Sequence, residues 1–264
     1  MTIKDNYKAI VLVLASEDVE NTKYAFRRIE DRWRPLYPHF KKVYEQYIYE
    51  NENIKFFFLY GGDTNFERKE HDLVYDDVFE NDYPGMITKT LLGMEYVTKN
   101  YNYDFLIRTN LSTFWNVKKL ENRLDSLPKE KYLSGHYIKV ANKETIYEYP
   151  AGFDMIMSKD IVEGILPYKE EIIKQKVHGN MEDLSITLAI EKYLNIKPDF
   201  ANKGNRACWG ACNPAFSEEK YQAIVSFANS ENLDHFSVKT RTDRNIDKYI
   251  HERLLMDIYG KTIL

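Results

Sequence analysis

The stretch Phe105–Asn116, FLIRTNLSTFWN, begins as an apolar run, turns polar at Arg108, Thr109 and Asn110, and becomes aromatic again at Phe114 and Trp115. A strand that ends abruptly in small polar residues presents hydrogen-bonding groups at a sheet edge, and Asn110 and Ser112 can bond a ribose or a phosphate there. Arg108 lies just before that tip; if it points inward, it must pair with something. A second concentration of chemistry is the adjacent pair Glu182–Asp183 in NMEDLS, at a helix start, where a carboxylate also serves as an ordinary cap on the helix dipole. SVKTRTDR places Lys239 and Arg241 in one polar segment, either a solvated loop or a cover for an anion. Trp209, in CWGAC, is either a core residue or a face for a sugar ring.

The elements that must position these residues alternate in type. Lys8–Ala15, KAIVLVLA, suits a strand buried on both faces. A helix follows, with Ser16 as N-cap, a stripe of Val19, Tyr24, Phe26, Ile29 and Trp33, and Pro35 as its end. Strands are expected at Ile54–Tyr60, stopped by Gly61 and Gly62, at Asp72–Tyr75 and at Asp104–Arg108, with a strong helix over Tyr83–Tyr101. This order predicts an α/β fold with a mostly parallel sheet and helices on both faces. Ligands in such sheets bind at the carboxyl ends of the strands. That brings in Ala15, Ser16 and Glu17 after the first strand, beside Asn110.

Beyond residue 117 the pattern is less regular. It predicts a helix over Val117–Leu127 and strands at Tyr132–Val140 and Glu144–Tyr149 in a small antiparallel patch. A strand at Asp154–Met157, a helix capped by Ser158 and a helix starting near Glu182 follow. The last expected elements are a strand around Ile196–Phe200 and a final helix over Arg244–Tyr259. No repeat, linker or composition shift divides the chain, so 1–264 reads as a single domain.

The chain has 264 residues, 44% of them hydrophobic, so it can bury a large core. A formal net charge of −4 gives no reason to expect nucleic-acid binding. Cys208 and Cys212 make no disulfide framework, and a zinc site would need ligands that are not nearby. They read as reduced thiols or one local disulfide. The apolar run Ala9–Leu14 is too short for a signal peptide or membrane span, so a cytoplasmic protein is expected. Its composition suits an AT-rich genome, bacterial or viral, with the host cytoplasm as the location if viral.

Several segments together carry a resemblance. Asp76–Leu120 contains DVFENDYPGMITKT and FLIRTNLSTFWN. It resembles the D-F-x-D-x-Y-x-N-L-T-x-K-T helix entry and the K-T-D-D-D-x-F-V-N strand end of the β-1,3-galactosyltransferase-like (galactosyltransferase/Fringe-type) glycosyltransferases, a group with the GT-A fold. Phe79, Asp82, Tyr83, Thr88, Lys89 and Thr90 match the first motif; Thr109, Phe114 and Asn116 match the second. YPAGFDMIMSKDIVEGIL and MEDLSITLAIEKYLNIKP are similar to later motifs of the same family, in the same order, with Glu182, Asp183 and Pro198 in matching positions. DHFSVK is loosely similar to a late V-H-x-x-S segment.

The resemblance implies a GT-A-like, Rossmann-like fold, with 1–116 as a nucleotide-binding half and 117–264 as an acceptor and catalytic half. It implies inverting transfer of a sugar from a nucleotide-sugar, expected to be a UDP-sugar, to a glycan acceptor. Asp183 is the implied base, with Glu182 beside it. Lys89 matches a lysine near the nucleotide, though a helix lysine can simply be solvated. His235 loosely matches the family's late metal-site histidine; without the acidic cluster it is expected to donate to a phosphate instead. The family holds Mn²⁺ or Mg²⁺ with an acidic cluster, but here those positions are Asn110, Leu111 and Ser112, which bind hard cations weakly or not at all. A metal-independent enzyme is therefore expected, with Lys89, Arg108, Lys239 and Arg241 as candidate cations for the leaving diphosphate. Two alternatives stay open: a cation held through water and other ligands such as Asp63 or His235, or an inactive module that binds nucleotide or glycan. A different Rossmann-like nucleotide enzyme is disfavoured, because the chain has neither G-x-G-x-x-G nor a P-loop.

Overall fold

The computed structural model describes residues 5–16, 36–62, 67–80, 84–141, 145–175, 177, 181–200, 207–209, 216–240 and 245–263. The first elements are β1 (Asn6–Leu14), α1 (Tyr37–Glu45), β2 (Ile54–Gly61), β3 (Asp72–Tyr75), α2 (Gly85–Asn100) and β4 (Asn102–Asn110). The middle of the chain forms β5 (Thr113–Trp115), α3 (Val117–Leu124), β6 (Leu133–Ser134), β7 (Tyr137–Ala141), β8 (Ile146–Pro150), β9 (Met155–Ser158), α4 (Lys159–Ile165) and α5 (Lys169–Lys174). The remainder forms α6 (Glu182–Leu194), β10 (Ala207–Trp209), α7 (Glu218–Ser230), β11 (His235–Val238) and α8 (Asn245–Tyr259).

Six strands make one sheet in the order β3-β2-β1-β4-β9-β6. The first four are parallel, and β9 runs antiparallel to both β4 and β6. The fold is α/β with a mostly parallel central sheet, as the strand–helix alternation predicts. The period-two alternation of β1 divides the interior in two. Ala9, Val11 and Val13 pack with Phe40, Tyr44 and Tyr47 on the face that α8 also covers, through Leu254 and Leu255. Ile10, Leu12 and Leu14 pack on the other face with Leu91 and Met94 of α2, Ile161 of α4 and Ile190 of α6. Two smaller sheets stand beside the main one: β10-β11-β5, and the β7–β8 hairpin.

The structure departs from the sequence expectations at definite points. The expected strand at Tyr132–Val140 is two strands in different sheets, β6 and β7. Gly135 separates them where an added Cβ would stand 2.9 Å from Pro150 Cβ. The expected strand at Ile196–Phe200 is reduced to one bridge, Ser134 to Asp199. Ser158 precedes α4 without capping it: its hydroxyl bonds Asp160 Oδ1 and accepts from the Tyr132 N–H. The helix expected from Ser16 to Pro35 lies outside the described residues. Among the described residues, no helix is long and apolar enough to cross a membrane.

Candidate functional site

The chain leaves β1 for β2 on one side and places β4 on the other, so the crevice between the carboxyl ends of β1 and β4 is the point where strand order reverses. Open α/β sheets bind ligands at this position. Leu14 pairs with Asn110 across it, which sets Ala15 and Ser16 beside the β4 tip.

Arg108 is the centre of the tip. It is 3% exposed and points inward, toward α2 and α6. Its Nε donates to Glu182 Oε1 at 3.2 Å, and Nη2 lies 2.6 Å from Glu182 Oε2. Nη1 donates to Asn110 Oδ1 at 2.8 Å and to the Gly152 carbonyl. Glu182 is itself 4% exposed, and burial pushes its carboxyl pKa up against the opposing pull of Arg108. Gly152 leaves room for the guanidinium: an added Cβ would stand 2.6 Å from Arg108 Cζ, and the side chain would have to shift.

Asp183 differs from its neighbour. It is half-buried in the first turn of α6, and it meets no cation in a salt bridge among the described residues. The Gly152 N–H donates to its Oδ2 at 2.9 Å, and the Leu184 N–H donates to Oδ1 at 2.9 Å. The Tyr149 ring is close enough that the Asp183 charge, added to burial, raises the phenol pKa.

Lys89, on α2, is neither a solvated helix lysine nor an open cation. It is 4% exposed, donates to the Ala15 carbonyl at 2.7 Å, and meets both Glu80 oxygens at 2.8 and 2.9 Å. Glu80 Oε1 also accepts from the Gly61 N–H at 2.5 Å. The pair therefore ties the ends of β1 and β2 to α2, with the lysine charge already compensated.

The other expected residues fall around or away from this centre. Ser112 is buried in the turn after β4, and its carbonyl accepts from the Val238 N–H at 2.8 Å. That bond brings exposed Lys239 to the tip side of the small sheet. His235 stands at the opposite end of β11, paired with Trp115. Its Nδ1 bonds Asp234 Oδ1 at 2.8 Å, so that nitrogen faces a buried carboxylate. Glu17, Asp63, Cys212 and Arg241 lie outside the described residues, and Trp209 is placed by its backbone at the end of β10.

At the β4 tip the three positions of the acidic cluster do not fit a divalent cation. Leu111 is buried, the Asn110 side-chain oxygen is taken by Arg108, and Ser112 supplies only a hydroxyl. Among the described residues, no group of three His, Cys, Asp or Glu side chains is placed to hold a metal. Sequence reasoning missed Gly152 and Glu80 as members of the site. The contact of Gly152 with Arg108 spans more than forty residues and leaves no local trace. No protein-family model matches the chain, and no curated protein does.

Proposed function

We propose that the chain is an inverting glycosyltransferase with a GT-A-like fold, transferring a sugar from a UDP-sugar to a glycan hydroxyl without a resident divalent cation. The observation that carries this reading is Asp183. It is a half-buried carboxylate at a helix start, fixed by the Gly152 N–H and joined through the Glu182–Arg108 pair to the β1/β4 crevice. A base so held can take the proton of an acceptor hydroxyl as its oxygen attacks the anomeric carbon. The bond from that carbon to the diphosphate breaks on the opposite face, and the configuration inverts. Ser16 and Asn110 flank the nucleotide, and Lys239 meets the leaving diphosphate.

A second reading has an observation of its own. Lys89 and Arg108 are each paired with a buried or half-buried carboxylate, so neither brings net charge to a diphosphate. That favours a module that binds nucleotide or glycan without turnover. UDP release from UDP-sugars, measured with and without excess EDTA, separates the two. EDTA-resistant transfer or hydrolysis supports the enzyme; binding with no turnover of any donor supports the module.

A further inference from the structure

A second set of buried charges lies against the small sheet. Arg123 Nη1 is 3.2 and 3.1 Å from the two oxygens of Asp234. Asp234 Oδ1 meets His235 Nδ1 at 2.8 Å, and His235 Nε2 lies 3.5 Å from Asp154 Oδ2. Trp115 and Phe153 enclose the imidazole, with ring centroids 5.0 and 5.9 Å away. Asp234, Asp154 and His235 are 2%, 3% and 4% exposed. The groups that face His235 are Asp234 beside it, Asp154 from the turn before β9, Arg123 from α3, and, around an adjoining cavity of about 100 Å³, His136 and Glu231.

With a neutral imidazole, Arg123 balances only one of the two buried aspartates; an imidazolium balances the other. Burial favours the neutral ring, but the Asp234 hydrogen bond and the Asp154 charge outweigh it and raise its pKa. Burial raises the Asp154 pKa as well.

Asp154 ends the turn 151–154 between β8 and β9. Within the same turn the Phe153 carbonyl accepts from Thr109 Oγ1 at 2.5 Å and Thr113 Oγ1 at 3.3 Å. Gly152 donates to Asp183 and accepts from Arg108. Four residues therefore meet the histidine cluster at one end and the candidate base at the other.

We propose that His235 is a positioning residue for Asp183: as an imidazolium between Asp234 and Asp154 it clamps the 151–154 turn, and the turn sets the Asp183 carboxylate. The catalytic consequence rests on the reading of Asp183 as the base, whereas the coupling itself does not. It is tested by following His235 and the Gly152 and Leu184 amides in ¹⁵N-labelled protein from about pH 5.5 to 9.5. The expected result is that both amides, the two donors to Asp183, titrate with the His235 midpoint, which lies above the ordinary imidazole value. In His235→Gln those inflections vanish, and in Asp154→Asn the His235 midpoint falls. Amides that stay flat while His235 titrates in the native chain overturn the coupling, whether or not either variant folds. With a UDP-sugar donor, turnover falls by about tenfold or more across the same midpoint, as displaced catalytic groups cost rate steeply. Amides that titrate in a protein with no turnover would keep the coupling and remove the glycosyl-transfer reading.

Discussion

Arg108 and Thr109 are neighbours on β4 and point to opposite faces of the sheet, and each face holds its own buried charge cluster. On the face of α2 and α6, Arg108 meets Glu182 in a two-point guanidinium–carboxylate pair. On the other face, Thr109 accepts from Trp115 Nε1, and Trp115 packs on His235, which completes a cluster balanced only while the imidazole is protonated. The two clusters share the 151–154 turn. One side of that turn is held by a guanidinium–carboxylate pair and the other by a cluster whose charge balance depends on the imidazole proton.

Removing carboxylates and cations one at a time tests that contrast. The largest effect is expected from Glu182→Gln, which leaves the Arg108 guanidinium buried without its partner. Urea unfolding at neutral pH should show a loss of about 3–5 kcal/mol. Arg108→Met should cost less, because the Glu182 carboxyl, already pushed up by burial, can take up a proton. Equal losses for the two variants would contradict this asymmetry.

His235→Gln comes next, at about 1.5–3 kcal/mol near pH 6, the range for a hydrogen bond to a charged group. The folded-state pKa of His235 is raised, so its contribution is fully present below the unfolded value and is lost as pH rises through the folded one. Native stability should therefore decline on the alkaline side of neutral, and the gap to His235→Gln should narrow there. Asp234, held far below the usual carboxylate range mainly by Arg123 and His235 acting against burial, loses its contribution only in strong acid. Gly152→Ala, which crowds Arg108 from the shared turn, should cost about 1–3 kcal/mol and shift signals in both clusters. Asp76→Ala removes the exposed pair with Arg68 and should change stability by less than about 0.5 kcal/mol.

The parts of this arrangement visible in the sequence are those set by local pattern. The β-branched and aromatic runs of β1, β2 and β4 announce a sheet buried on both faces, and β3 falls on Asp72–Tyr75 as expected. The helix at Glu182 starts where its acidic pair suggests. α1 was hidden because Pro35 reads as a stop, while Pro38 opens a new helix in its first turn. β5 and β11 are three and four residues long, and their pairing joins residues over a hundred positions apart. The histidine cluster left no sequence trace either: Asp154 and Asp234 are two of 41 acidic residues, and only the fold brings them to the same imidazole. Lys89 was legible as important but not for its reason, since Glu80, its partner, lies in the segment before α2.

The proposed function turns on Asp183, and its isosteric variant tests it most directly. UDP release from a panel of UDP-sugars, in excess EDTA, should be measured for the native chain and for Asp183→Asn, with unfolding curves confirming that both are folded. The account predicts turnover by the native chain and a loss of at least about a hundredfold in the variant. Undiminished turnover by folded Asp183→Asn, or none by the native chain with any donor, would contradict it.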